Sequence, residues 1–181
     1  QKVNYIPFEN RLNMQCDKAD NLVPKLASSR FHLITWNVHK GQDTGWQEDL
    51  ERLSKQADFV LLQEATQYQN LSTFSTALFV SSFSFNELLS GVKTFTQTQP
   101  EWYCGGGVAE PIIQIPKVAS VMNLPLEKGN SLLLINVHLI NFEWEISAYQ
   151  TQLEQLFSLI ENYQGSIVMA GDFNAWNEDR L

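Results

Sequence analysis

The sequence predicts an α/β protein made of stacked layers, and three observations predict it. A short apolar run, an amphipathic segment and a second apolar run follow one another between Phe31 and Gln63, in the order of a strand–helix–strand crossover. Ser147–Tyr163 places Leu153, Leu156, Phe157, Ile160 and Tyr163 on one helical stripe, and Gly165 separates it from the apolar run Ser166–Ala170. Between these blocks lie several short β-rich runs separated by turn residues, too short for helices and too apolar for loops.

Residues 1–30 read as a polar, irregular arm laid over the domain, with Asn10, Asp17, Asp20 and Ser28–Ser29 interrupting short apolar pieces. Residues 31–181 form the domain. Phe31–Trp36 (FHLITW) is β-branched and apolar enough for a central strand, which puts His32 inside it as a core or cross-strand residue. Thr44-x-x-Gln47 has capping-box form, and Trp46, Leu50, Leu53 and Ala57 recur at helical spacing behind it. Asp58–Gln63 is the next strand. Residues 70–89 do not separate strand from loop, whereas Ser90–Thr96 (SGVKTFT) alternates as a strand does. Cys104–Gly107 reads as a turn, and Ile112–Ile115, between Pro111 and Pro116, as an edge strand or extended connection. Val118–Leu124 and Ser131–His138 flank the turn Glu127–Asn130 and form a hairpin. Ser147-x-x-Gln150 caps the long helix, and the buried strand Ser166–Ala170 runs into Gly171-Asp172-Phe173-Asn174.

The chain has 181 residues and 20.7 kDa, 44% of them hydrophobic, which suffices for one compact core and excludes a disordered chain. Twelve basic residues against twenty acidic ones give a net charge of −8, which argues against nucleic-acid binding through a broad basic surface. A phosphodiester remains a possible substrate if a metal ion supplies the positive charge. No apolar run approaches the roughly 20 residues of a membrane helix. Cys16 and Cys104 lack zinc-site spacing and read as two ordinary thiols, which favours a reducing, cytoplasmic setting.

The chemistry lies at the ends of apolar strands. Asn37 follows FHLITW, Glu64 follows FVLLQ, His138 ends LLLINV, and Asp172 and Asn174 follow IVMA. In an open layered sheet such ends converge on one crevice. Asn, Glu, His and Asp-x-Asn would form a hard, oxygen-rich site suited to Mg²⁺ or Mn²⁺, which take one or two carboxylates plus water and phosphate oxygens, and unsuited to zinc. Taken singly, each residue also has a structural role open to it: turn-capping for the asparagines, a solvated strand end for Glu64, a packed imidazole for His138, a helix N-cap for Asp172. The aromatics near these positions, Trp36, Trp46, Phe173 and Trp176, are either core or stacking surfaces for a base or a lipid headgroup.

WNVHKG (Trp36–Gly41), LLQEA (Leu61–Ala65), INVHL (Ile135–Leu139) and GDFNAW (Gly171–Trp176), in this order, resemble the motifs of the endonuclease/exonuclease/phosphatase superfamily. SGVKTFT and Glu110–Lys117 resemble an uncharacterised bacterial branch of it. The resemblance implies a four-layer α/β sandwich of the deoxyribonuclease-I-like type, with two packed mixed sheets and outer helices. It also implies a Mg²⁺- or Mn²⁺-dependent hydrolase that attacks a phosphodiester or phosphomonoester with water. In that scheme Glu64 holds the metal with Asn37 beside it, His138 assists at the scissile phosphate, and Asp172 with Asn174 positions the water and the phosphate oxygens. His39 and Trp176 are the candidates for touching substrate, a phosphate ester of nucleic acid, nucleotide or lipid headgroup.

Members of the superfamily continue past GDFN to a further Asp and a terminal Ser-Asp-His-type motif, whereas this chain ends at Leu181. A fragment lacking its C-terminal part is therefore expected, with self-association through uncovered sheet edges. The alternatives are a binding or scaffold domain that keeps the fold without turnover, and a sphingomyelinase-like lipid phosphodiesterase.

Overall fold

A computed structural model describes residues 1–7, 14–19, 25–27, 30–109, 115–141, 147–176 and 178. Ten strands form two five-stranded mixed sheets. The first sheet has the order β1 (Lys2–Ile6), β5 (Thr76–Phe85), β6 (Leu88–Thr96), β4 (Phe59–Thr66), β3 (Leu33–Asn37). The second has the order β10 (Ser166–Asp172), β9 (Ser131–His138), β8 (Pro116–Pro125), β7 (Trp102–Ala109), β2 (Gln15–Lys18). Pairing is parallel for β1–β5, β3–β4 and β9–β10 and antiparallel elsewhere.

Both faces of the central strands are buried, which is why they read as unbroken apolar runs without alternation. On β4, Phe59 and Leu61 point between the sheets, where they meet Met122, Leu132 and Leu134 of the second sheet. Val60 and Leu62 point outward to pack with Leu50 of helix α1 (Trp46–Ser54). On β9, Leu133 and Ile135 likewise face outward, onto Tyr149 and Leu156 of α2 (Ser147–Ile160). Helix, sheet, sheet and helix thus make the four layers expected. The β8–β9 hairpin forms as predicted, closed by a 3-10 turn at Glu127–Gly129.

Several details differ from the sequence reading. The first residues are not only an overlying arm: β1 edges one sheet and β2 edges the other. Residues 76–85, ambiguous in sequence, form β5, and the glycines after Cys104 lie inside β7 and make no turn. Helix α1 starts on Gly45, whose φ is 80°, and no side chain caps it. Gln47 instead reaches forward to Glu51 at 3.1 Å, so the Thr44 capping box does not form. Leu53 and Phe157, assigned to apolar stripes, face solvent. His32 precedes β3 with an exposed ring 3.6 Å from Asp58, so it is not a core residue. The extended segment predicted at 112–115 falls largely outside the described residues.

The cysteines are the main correction. Cys16 of β2 lies directly opposite Cys104 of β7, and the two form a disulfide across 88 positions of sequence. No local spacing could signal this pair, because only the pairing of β2 with β7 brings the thiols together. The disulfide removes the argument from free thiols toward a cytoplasmic setting. No helix among the described residues is long and apolar enough to cross a membrane.

A polar bridge crosses the otherwise apolar space between the sheets. Asn136 of β9 is fully buried, and its Oδ1 accepts from Gln63 Nε2 of β4 at 2.8 Å. Its Nδ2 donates to the Leu62 and Lys93 carbonyls at 3.1 and 3.3 Å and to Thr94 Oγ1 at 3.2 Å. Thr94 continues to Ser120 of β8 at 3.0 Å. Replacing Asn136 with Leu would strand these buried partners, at about 1–3 kcal/mol for the unsatisfied groups. Asn136→Leu is therefore expected to lower the unfolding free energy by that amount, read as a lower urea midpoint at an unchanged slope.

Lys93 on β6 is also buried. Its ammonium donates to the Gln67 and Gln69 carbonyls at 3.1 and 2.5 Å and lies 5.6 Å from the ring centroids of Phe79 and Phe95. Burial lowers its pKa to about 8 from the ordinary 10.5. Between those values the unfolded chain holds more protons than the folded one, so stability rises with pH across this window, and the burial penalty is full below it. Denaturation midpoints should climb from pH 8 to about 9.5, and Lys93→Met should flatten that slope.

Candidate active site

Four strand ends meet at one edge of the sandwich. Asn37 ends β3, Glu64 lies near the end of β4, His138 ends β9 and Asp172 ends β10. The two outer pairs are in parallel register, Asn37 with Gln63 and Asp172 with His138. Chain direction therefore delivers each pair to the same edge. At Glu64 the β4–β6 ladder slips between Leu62 and Ala65, and Glu64 takes a φ of 49°. This bulge re-aims the carboxylate out of the normal alternation. Gly171 has a φ of 147°, and a Cβ there would sit 2.1 Å from the Val137 carbonyl oxygen, so only glycine lets β10 run this close to β9 ahead of Asp172.

Asn37 links the two carboxylates. Its Nδ2 donates to Asp172 Oδ2 at 3.1 Å and to Glu64 Oε1 at 3.4 Å, while its Oδ1 accepts from the His39 backbone N–H at 3.1 Å. His138 Nε2 lies 3.8 Å from Asp172 Oδ2. Asn174 is turned back: its N–H donates to Asp172 Oδ1 at 3.1 Å and its Nδ2 to the Leu139 carbonyl at 2.8 Å. It thereby fixes the turn that presents Asp172.

Two lysines that the sequence reading did not single out complete the site. Lys40 Nζ lies 2.5 Å from Glu64 Oε2, and Lys117 Nζ lies 3.0 Å from His138 Nε2. Lys40 falls within WNVHKG and Lys117 ends the Glu110–Lys117 stretch, so both lie in the motifs that carry the family resemblance. Their role depends on non-local pairing that a motif does not show. An ammonium can only donate, so Nε2 of His138 accepts and the ring proton sits on Nδ1. Burial and the Lys117 charge, opposed by Asp172 and Glu64, bring His138 to a pKa of about 4, so the imidazole is neutral at pH 7. Burial works to raise the Glu64 carboxyl, but the Lys40 ammonium and the Asn37 amide outweigh it and hold the group below the ordinary carboxylate value.

The remaining candidates stand apart. His39 is exposed and turned toward Asp43 at 3.6 Å. Trp176 is exposed, with its indole N–H on Asn141 at 2.9 Å. Trp36 and Trp46 pack against the outer face of the first sheet and Phe173 against that of the second.

Among the described residues no three His, Cys, Asp or Glu side chains gather as an all-protein metal cage. Glu64, with Asp172 held beside it by Asn37, instead provides the one or two carboxylates with which Mg²⁺ is usually bound, the rest of its shell being water and phosphate. The Lys40 ammonium already seated on Glu64 shows that this carboxylate accepts a cation. A cleft of about 190 Å³ opens beside these groups, lined by Lys40, Glu64, Lys117 and His138 together with Ser82 and Ser90.

Known proteins fit this picture. A UPF0294 protein of Vibrio vulnificus is 33% identical over 157 residues, covering 84% of this chain; the chain spans 55% of that relative's length. Among solved structures, ANGEL2, a 2′,3′-cyclic phosphatase, superposes with a TM-score of 0.60 at 15% identity, over 92% of this chain and 57% of its own. D. rerio TDP2 complexed with single-strand DNA product gives a TM-score of 0.57 at 20% identity, over 84% of this chain and 64% of its own. These likenesses show the deoxyribonuclease-I-like fold. The family model described as Endonuclease/Exonuclease/phosphatase family matches residues 34–181, and the chain belongs to that family.

Proposed function

We propose that the protein is a Mg²⁺- or Mn²⁺-dependent hydrolase that cleaves a phosphate ester, a diester foremost, with water as the nucleophile. The observation that carries this reading is the meeting of Asn37, Glu64, His138 and Asp172 at one sheet edge, bridged by the Asn37 amide. Family membership and the ANGEL2 and TDP2 likenesses support it.

Glu64 would hold the metal. Asn37 orients that carboxylate with its amide N–H₂, because its oxygen is already taken by the His39 backbone. When bound, the ion would neutralise charge on the phosphoryl oxygens and favour ionised water. Asp172 is placed by Asn37 and by the Asn174 backbone to align the attacking water or take its proton. The Lys117 ammonium, held by the acceptor Nε2 of neutral His138, would supply a hydrogen bond to the phosphate or the leaving oxygen. Lys40, beside Glu64 and lining the same cleft, would supply a second cation for the phosphate.

A non-catalytic binding domain is the second reading, and one feature favours it. Lys40 already occupies Glu64, so the carboxylate that would hold a metal is paired without one. Hydrolysis of bis(p-nitrophenyl) phosphate by the intact protein separates the two. The hydrolase reading predicts Mn²⁺- or Mg²⁺-dependent turnover that Glu64→Ala lowers by about 10²-fold or more while the melting transition is retained. Turnover unaffected by Glu64→Ala would contradict it.

A further inference from the structure

Helix α2 does more than cover the second sheet. Tyr149, Gln152 and Leu156 share one stripe of it and are all buried. Packing alone would put an apolar side chain at the middle position. Gln152 stands there instead, 1% exposed, and a buried amide is tolerated only where its donors and acceptor are met.

They are met at the edge of the site. Gln152 Nε2 donates to the Lys117 carbonyl at 3.0 Å and to the His138 carbonyl at 3.1 Å, and its Oε1 accepts from the Ile140 N–H at 3.0 Å. Both hydrogens of the amide are therefore spent on the backbone of the two residues whose side chains meet in the cleft, Lys117 Nζ on His138 Nε2 at 3.0 Å.

The strands need such a link at this level. The β8–β9 ladder runs from the Pro125–Ser131 pair to the Ala119–Val137 pair and stops there. Leu139 N–H donates to the Asp172 carbonyl of β10 at 2.9 Å, so the His138 carbonyl, in the same trans peptide, points away from β10. The Gln152 amide joins it to the Lys117 carbonyl, in place of the next ladder bonds. Three residues earlier on α2, the Tyr149 hydroxyl donates to the Phe173 carbonyl at 3.1 Å, between Asp172 and Asn174. One face of the helix thus grips the three segments that bring Lys117, His138 and Asp172 to the site.

We propose that Gln152 is a positioning residue of the active site: by holding the Lys117 and His138 backbones across the open end of β8 and β9, it sets the contact between ammonium and imidazole. An apolar side chain of the same size would fill the space without fixing that spacing, because apolar contact is non-directional. The effect on turnover rests on the hydrolase reading; the effect on the Lys117–His138 contact does not.

Gln152→Met, similar in size but without a donor, tests it in two ways. The first needs neither substrate nor metal. Nitrogen NMR of the histidine rings at neutral pH should show wild-type His138 with its proton on Nδ1 and an accepting Nε2, set apart from the exposed rings of His32 and His39. Gln152→Met should lose that signature to a mixture of the two tautomers, as Lys117→Met does by removing the donor outright. The second reads turnover of bis(p-nitrophenyl) phosphate with Mn²⁺. Gln152→Met should lower kcat by about tenfold or more and change KM by less than about threefold, because a misplaced group costs the transition state. In a Lys117→Met background the same substitution should cost less than about twofold further, since the group it positions is gone. Should Gln152→Met not fold, Gln152→Asn, whose amide stops one methylene short of both carbonyls, is read in the same way. A His138 tautomer unchanged in the variant, or losses in kcat that multiply across the two substitutions, would overturn the proposal. Absence of turnover in the wild type would contradict the hydrolase reading alone, and the tautomer then decides this proposal by itself.

Discussion

The position of the site depends on one buried hydrogen-bonded bridge. Asn136 and Gln63 join the inner faces of two sheets that otherwise meet through Phe59, Leu61, Met122, Leu132 and Leu134. Apolar contacts of that kind are non-directional and tolerate sliding, whereas an amide pair has one geometry. Gln63 immediately precedes Glu64, and Asn136 lies two residues before His138, so the bridge sets how far the Glu64 end of one sheet stands from the His138 end of the other. A shift of one residue in either strand would turn the amide out of the interface and the site residue with it.

Above the bridge, charge is organised by pairing more than by accumulation. The chain is acidic overall, yet its two site lysines each rest on a partner at the strand ends, Lys40 on Glu64 and Lys117 on His138. A dication that took Glu64 would free an ammonium and add its own charge in the same place, beside the Lys117 ammonium that already lines the cleft. Lys93, by contrast, is a cation held by carbonyls.

Much of this was legible in the sequence because the relevant signals are local. Apolar runs ending in Asn37, Glu64, His138 and Asp172 marked both the strands and the sheet edge on which they meet, and the β8–β9 hairpin and α2 carried their own turn and stripe patterns. What could not be read is non-local. The Cys16–Cys104 bond depends on β2 pairing with β7, and nothing between the cysteines announces it. Glycines 105–107 carry turn chemistry, but sheet pairing overrides it and makes them strand. Lys40 and Lys117 look like ordinary surface lysines until the fold sets them on Glu64 and His138. His32 and Leu53 have core patterns and solvent positions, since periodicity states which residues share a face and not whether that face is covered.

The central claim is that Glu64 is a cation seat at the edge fixed by the Asn136–Gln63 bridge, filled by Lys40 until a metal takes its place. A crystal structure of the chain soaked with Mn²⁺, with anomalous scattering recorded, tests this most directly. The account predicts a single anomalous peak within coordinating distance of the Glu64 carboxylate and Lys40 Nζ withdrawn from it. No peak at Glu64, with the Lys40 ion pair intact, would contradict it.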